Sequence, residues 1–280
     1  MLSPLAEPLR QAIAGRVVGL FNDVSRGERP VERQTNGLFG PQSIAWRVHG
    51  DVTSMMVGGI TGLLLQMLLP EVLAGVWDHS GFRADMHGRL RRTARFLALT
   101  TFGGREEALA AIARVNAIHA RLGGTLPDGT LYRVDDPAAL AWVHATETVS
   151  FLGAWMRLRE PGMSIADQDL YFAEMATMAE RLGAAPVPRT HRAAWQLIEA
   201  VRPRLRADAR TREVAAHVLG TERDALVSRP VASLVRQAAI DGLPSWARTL
   251  HGLPSSAAAR PAVRAGAKGL SRVLGWALAR

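Results

Sequence analysis

The most constraining feature of the sequence is a long run without a charged residue, VTSMMVGGITGLLLQMLLP at residues 52–70. Such a run is either a membrane-spanning helix or a central helix buried on all sides. We favour the buried helix, because the run is barely long enough to cross a bilayer and includes polar residues such as Gln66. Its glycines, Gly58, Gly59 and Gly62, would let another helix, or a flat ligand, approach the backbone closely.

Helical periodicity dominates the chain, and no run alternates convincingly between apolar and polar residues as a strand would. The predicted helices cover residues 4–22, a segment that begins at Pro41, 52–70, 70–79, 83–101, 104–122, 137–158, 165–182, 190–243 and 244–280, with interruptions at Pro203, Pro230 and Pro254. Residues 23–42 and 123–134 are interpreted as loops, and Asp136 and Ser164 as helix starts. The sequence therefore predicts a single all-α domain over residues 1–280, built as a multi-helix bundle.

The composition excludes several kinds of site. The chain has no cysteine, which excludes disulfides, thiolate metal sites, iron–sulfur clusters and a cysteine nucleophile. Lys268 is the only lysine, so arginine carries nearly all of the positive charge behind the net charge of +9. This balance favours anionic partners, but the arginines are dispersed and we expect no nucleic-acid partner. Because the N-terminus lacks the pattern of a secretion signal, we expect a cytoplasmic protein.

Familiar catalytic motifs are missing from the sequence. It contains no HExxH, no phosphate loop, no G-x-S-x-G and no pair of histidines at i and i+4. The remaining possibility is a single histidine that binds a metal cofactor, where the cofactor carries its own equatorial donors. Haem is such a cofactor, because the porphyrin supplies the equatorial nitrogens and the protein supplies an axial ligand.

His119 is the candidate for that ligand. It lies in VNAIHARLGG, where Ile112, Val115, His119 and Leu122 have the spacing of one buried helical stripe. An apolar helix face suits an apolar macrocycle, so His119 is predicted to bind haem iron. The alternative, which is commoner for single histidines, is a core imidazole hydrogen-bonded to a backbone carbonyl.

Two further groups could complete a site. RLRRT places Arg89, Arg92 and Thr93 on one helical face, which suits carboxylates such as haem propionates; the alternative is an exposed basic face. His144 shares a face with Glu147, Thr148 and Phe151, and this group could supply polar contacts to the distal side of a bound ligand. A buried polar contact between helices is the alternative there.

Four segments in this order resemble the family that contains the rubber oxygenase, or latex-clearing protein, and the fungal oxygenase MpaB. They are LLLQMLLPEVLAGVWDHSGF, RLRRTARFLALTTFG, VNAIHARLGG and YRVDDPAALAWVHATETVS. The resemblance covers residues from about 45 to 155. It implies an all-helical bundle that encloses a haem b pocket.

The resemblance also implies roles for individual residues. His119 would be the proximal iron ligand, and Arg89, Arg92 and Thr93 would lie close to the haem. The chain departs from the family at two places: Leu69 stands where many members have a histidine, and Thr61 falls where an arginine is often seen. These departures affect the distal pocket and leave the proposed proximal ligand unchanged.

The resulting expectation is a haem b-dependent oxidoreductase, an oxygenase that uses O₂ on an apolar, isoprenoid or lipid-like substrate. His144 and Thr148 are the candidate catalytic residues. A non-catalytic protein that binds haem or an apolar ligand is the alternative, since a fold does not fix a function.

The C-terminal segment at residues 256–280 is predicted to be an amphipathic helix. Arg264, Lys268 and Arg272 recur at every fourth position, while apolar residues gather on another side. Packing on the core is the favoured interpretation, and peripheral contact with an anionic membrane surface is the alternative.

Overall fold

The computed structural model describes residues 6–24, 27–220, 228–253 and 256–279. These ranges contain thirteen α-helices, one small sheet and a 3₁₀ helix at Arg202–Arg204. In chain order the α-helices and strands are α1 (Ala6–Phe21), α2 (Ile44–His49), α3 (Val52–Gln66), α4 (Pro70–His79), α5 (Met86–Phe102), α6 (Arg105–His119), β1 (Gly123–Thr125), β2 (Leu131–Arg133), α7 (Pro137–Leu158), α8 (Ile165–Arg181), α9 (His191–Val201), α10 (Ala209–Leu219), α11 (Arg229–Gly242), α12 (Ser245–His251) and α13 (Arg260–Leu278). The predicted all-α class is confirmed.

Side-chain caps fix several helix starts. Asp136 accepts a hydrogen bond from the Ala139 amide at 2.8 Å, and Ser164 likewise caps α8, so both predicted starts are confirmed. The predicted start of α2 at Pro41 is wrong. Ser43 caps that helix instead, because its hydroxyl accepts from the Trp46 amide at 3.2 Å.

The segment interpreted as a glycine loop contains a β-hairpin, which the sequence reading missed. β1 pairs with β2 in antiparallel register. The turn between them contains Gly129 at φ +90°, and the Asp128 carboxylate accepts from the Thr130 amide at 2.9 Å. The Tyr132 hydroxyl donates to Asp78 at 2.6 Å, which ties the hairpin to the end of α4. Strands this short give no alternating pattern that a sequence can reveal.

The glycines of α3 allow another helix to pack in backbone contact. A Cβ on Gly58 would lie 2.8 Å from the Phe151 Cα, and one on Gly62 would lie 3.4 Å from the Glu147 Cα. Farther along, the Gln66 side chain donates to the Val143 carbonyl at 3.3 Å. These contacts place α3 antiparallel to α7, so the close neighbour of the glycines is a helix.

α3 is a buried central helix, as predicted. It packs against α7, α11 and α13, and most of its side chains are buried. Among the described residues, no single helix has the length and apolarity needed to cross a bilayer. α3 and α4 together have that length and composition, but the chain bends by 107° between them.

α13 packs its apolar face on the core, against α1, α3 and α11. Its buried residues are Val263, Ala267, Ser271, Leu274 and Ala277. Arg264 on its outer side pairs with Asp241 of α11 at 2.8 Å. Contact of this helix with a membrane stays a prediction.

Candidate functional site

His119 is the last residue of α6, three residues before the predicted helix end. The amides of Arg121 and Leu122 bond to the carbonyls of Ile118 and His119, which form a turn and end the helix. Of the predicted stripe, Ile112 is buried, while Val115, His119 and Leu122 are half-buried. The imidazole therefore lies where the apolar seam meets the surface.

The His119 ring has no hydrogen-bond partner within the described part of the chain, although its Nδ1 is buried. Burial lowers the pKa of His119, and the nearby Asp135 carboxylate partly opposes this shift. The ring is therefore neutral near pH 7 and keeps a lone pair that no protein group uses. The alternative of a core histidine bonded to a backbone carbonyl predicts such a bond, and none is present among these residues.

Arg89 differs from its two neighbours on α5. It is half-buried, and no described residue forms an ion pair or hydrogen bond with its guanidinium. Burial and, next, the positive charge of Arg92 lower the pKa of Arg89 to about 10. Arg92 is exposed and pairs with Asp85 at 3.4 Å, and Thr93 is exposed with its hydroxyl donating to the Arg89 carbonyl. Only Arg89 therefore combines burial with a guanidinium that has no anion.

The start of α5 and the end of α6 lie on the same side of the molecule. His79, the last residue of α4, has its Nε2 3.2 Å from the Gly123 carbonyl oxygen. α4 directly precedes α5, and Gly123 follows soon after His119. Within the described ranges no hydrogen bond or ion pair joins His119 to Arg89.

His144 and Thr148 lie inside α7 and are both buried. The His144 Nε2 is buried without a partner, and burial lowers the pKa of the ring to about 4. The Thr148 hydroxyl donates to the His144 carbonyl at 2.8 Å. This bond leaves Thr148 only its oxygen lone pairs for a ligand. No hydrogen bond links either residue to His119 among the residues described.

The sequence reading missed a buried polar cluster on three helices. His49 of α2 has its Nδ1 2.8 Å from the Thr101 hydroxyl on α5 and its Nε2 2.9 Å from the Tyr171 hydroxyl on α8. Burial lowers the pKa of His49 to about 3 and raises that of Tyr171. The three residues of this cluster are far apart in sequence. The only sequence signal for them is a polar residue within an apolar segment.

The two departures from the family pattern have defined surroundings. Leu69 is 2% exposed and lies at the start of α4 within the main core. The Thr61 hydroxyl lies 2.8 Å from the Val57 carbonyl and 3.0 Å from the Ala239 carbonyl. Thr61 therefore faces α11.

Comparison with known families gives a match along most of the chain. The family model described as "ER-bound oxygenase mpaB/B'/Rubber oxygenase, catalytic domain" matches residues 46–276. The chain belongs to this family. The match confirms the resemblance and extends it well beyond the segment from about 45 to 155. No curated protein and no solved structure matches the chain. The family is one of oxygenase catalytic domains, so the chain is an enzyme of the oxygenase type.

Proposed function

We propose that this protein is a haem b-dependent oxygenase that uses O₂ to oxidise an apolar, isoprenoid or lipid-like substrate. His119 would be the axial ligand of the iron. Membership of the oxygenase family supports the reaction type. The haem and the roles of individual residues are inferred from the burial and hydrogen bonding of their side chains.

The observation that carries the proposal is the buried, unpartnered Nδ1 of His119. A buried polar atom without a partner costs about 1–3 kcal/mol. A folded protein tolerates such a cost most readily where a ligand later removes it, and a metal bound at this nitrogen would do so. Among the described residues no cluster of three or more His, Asp or Glu could hold a metal ion. A cofactor that brings its own equatorial donors fits a lone imidazole. When bound, haem supplies the oxygen chemistry.

Arg89 is the residue proposed to hold an anionic edge of the cofactor. Even with its lowered pKa of about 10 the guanidinium is charged at pH 7, and it lacks an anion among the described residues. A carboxylate would form charge-assisted hydrogen bonds with it. Arg92 and Thr93 are exposed beside it and would contact the same edge from the solvent side.

His144 is proposed to contribute a neutral polar group inside an otherwise apolar pocket. Its low pKa keeps the ring uncharged at pH 7, so its unpaired Nε2 can donate or accept one hydrogen bond, depending on the tautomer. Thr148 would add only an acceptor oxygen. His144 and Thr148 are therefore both proposed to be catalytic residues.

The test is an absorption spectrum of the full chain expressed with adequate iron. We expect a Soret band that His119→Ala abolishes or strongly alters. His217→Ala is the matched control, because His217 is a half-buried histidine whose Nδ1 bonds to the Glu213 carbonyl. A folded, colourless protein that takes up no added hemin would contradict the proposal.

A protein that binds haem or an apolar ligand without turnover is the second candidate. Leu69 and Thr61 favour it, since one is apolar and the other bonds to α11, and neither supplies a polar group to a pocket. Oxygen uptake by the haem-loaded protein with an apolar alkene such as squalene separates the two. Uptake that depends on the alkene supports the oxygenase, and haem binding without uptake supports the binding protein.

A further inference from the structure

Glu147 is a carboxyl group whose surroundings the proposed function leaves unexplained. It lies on α7, and no described residue gives it a hydrogen bond or an ion pair. Burial raises the pKa of Glu147 to about 7. The residue nevertheless keeps part of its surface accessible.

The position of Glu147 is set by the close packing of α3 on α7. A Cβ on Gly62 would lie 3.4 Å from the Glu147 Cα. The glycine brings the two helices into near contact and places no side chain of its own beside the carboxyl group. α3 has no titratable residue along its length, so it offers neither a counter-ion nor a like charge.

A second unpartnered polar group lies one helical turn away. His144 precedes Glu147 by three residues, is 4% exposed, and has its Nε2 buried without a partner. Residues at this spacing lie on neighbouring parts of one helix surface. The buried, unpartnered Nε2 of His144 indicates that something outside the chain satisfies it, and the partly exposed Glu147 beside it has no partner among the described residues.

The other titratable groups around this turn come from α8 and α2. Tyr171 of α8 is close enough for Glu147 to raise its pKa, and Glu174 of the same helix acts on Tyr171 in the same direction. His49 of α2 is already bonded to Tyr171 and Thr101. Burial alone accounts for the shift of Glu147, so no charged group stabilises an ionised carboxylate there.

We propose that the Glu147 carboxyl group donates a hydrogen bond to an oxygen atom of an otherwise apolar ligand, with His144 as the adjoining polar contact. The ligand class is an apolar chain with one acceptor oxygen. A cationic ligand would need an ionised carboxylate, which burial disfavours. The proposal rests on the proposed function for its place in a substrate pocket, and it names the polar feature that this pocket recognises.

The test measures binding of 2-decanone to the full chain by calorimetry, with decane as the control that lacks the oxygen. We expect 2-decanone to bind below pH 6 and to weaken roughly five- to tenfold by pH 8.5, because a carboxylate cannot donate. Glu147→Gln keeps a donor and cannot ionise, so its binding should not change with pH. Glu106→Gln removes an exposed carboxyl on α6 and should behave like the parent.

Two results would overturn the proposal: decane and 2-decanone binding equally, or the parent and Glu147→Gln sharing one pH profile. Infrared spectra give an independent readout, since a protonated carboxyl band that titrates near pH 7 should disappear in Glu147→Gln. Absorption spectra of the same samples keep the two proposals separate. A colourless protein with the expected pH profile contradicts only the haem assignment, and a haem protein without that profile contradicts only the role of Glu147.

Discussion

His49 and His119 are both desolvated imidazoles, and their surroundings are opposite. Both ring nitrogens of His49 lie within 2.9 Å of a hydroxyl, on Thr101 and Tyr171. The ring of His119 has no such partner among the described residues, and its Nδ1 is nevertheless buried. The hydrogen-bonding groups of one imidazole are therefore satisfied within the fold, and the other imidazole has a buried nitrogen without a partner among the described residues.

The difference in hydrogen bonding suggests that His49 contributes to stability and His119 to ligand binding. A buried polar network that is fully satisfied holds helices together and specifies their packing. A buried polar group that is unsatisfied weakens the fold and points to a partner from outside the chain. We therefore expect the first region to respond to mutation through the free energy of unfolding and the second through cofactor binding.

The largest effect is expected at His119. His119→Ala should abolish haem binding, while the free energy of unfolding of the haem-free protein should fall by no more than about 1 kcal/mol, because the ring has no hydrogen bond to lose and its buried, unpartnered nitrogen is removed with it. Haem titration and chemical denaturation of the same variant measure both quantities. Unaltered haem uptake, or a large loss of stability, would remove the contrast with His49.

His49→Ala should show the reverse pattern. It leaves a cavity and removes the partner of two hydroxyls, so the free energy of unfolding should fall by roughly 2–4 kcal/mol. Tyr171→Phe, which breaks only one of the two bonds, should cost about 1 kcal/mol. Urea denaturation checks both values. Loss of haem affinity in folded His49→Ala would show that the two regions are coupled.

The next effect concerns pH: acid should lower the free energy of unfolding through the His49 cluster. The pKa of His49 is lowered to about 3, so between pH 6.5 and pH 3 the unfolded chain binds a proton that the folded chain does not. Stability from this group is full above pH 6.5 and should fall by roughly 2 kcal/mol between pH 7 and pH 5. His49→Gln should flatten that slope in denaturation curves across this range. A slope equal to that of the parent would place the acid sensitivity elsewhere.

Arg89 is expected to affect cofactor affinity rather than the free energy of unfolding. Arg89→Ala removes a charge-assisted hydrogen bond to a haem carboxylate that is worth roughly 1.5–3 kcal/mol. The variant should therefore bind haem about tenfold more weakly or worse. Arg92→Ala is the matched control, because Arg92 is exposed and already paired with Asp85, and it should change affinity less. Helicity of the haem-free protein should stay constant in both. Equal haem affinity in Arg89→Ala and the parent would remove Arg89 from the site.

The features that could be predicted from the sequence, such as the helix starts, depend only on residues close together in the chain. Asp136 and Ser164 cap their helices through amides three residues away, so the local pattern contained the whole cause. The His49 cluster depends on three helices meeting, and no local pattern contains that information. For the same reason the spacing of the residues in RLRRT could suggest an anion site but could not single out Arg89, whose burial depends on the helices around α5.

The position of His119 at the end of α6 has an electrostatic consequence. The carbonyl groups of the last helical turn carry the negative end of the helix dipole, and the nearby Asp135 carboxylate adds to that field. A positive charge held by this imidazole gains about 0.3–1 kcal/mol from a helix C-terminus, and a neutral occupant gains nothing. A redox-active metal held here would therefore be biased towards its more oxidised state, and its reduction potential would be lower than at a helix N-terminus.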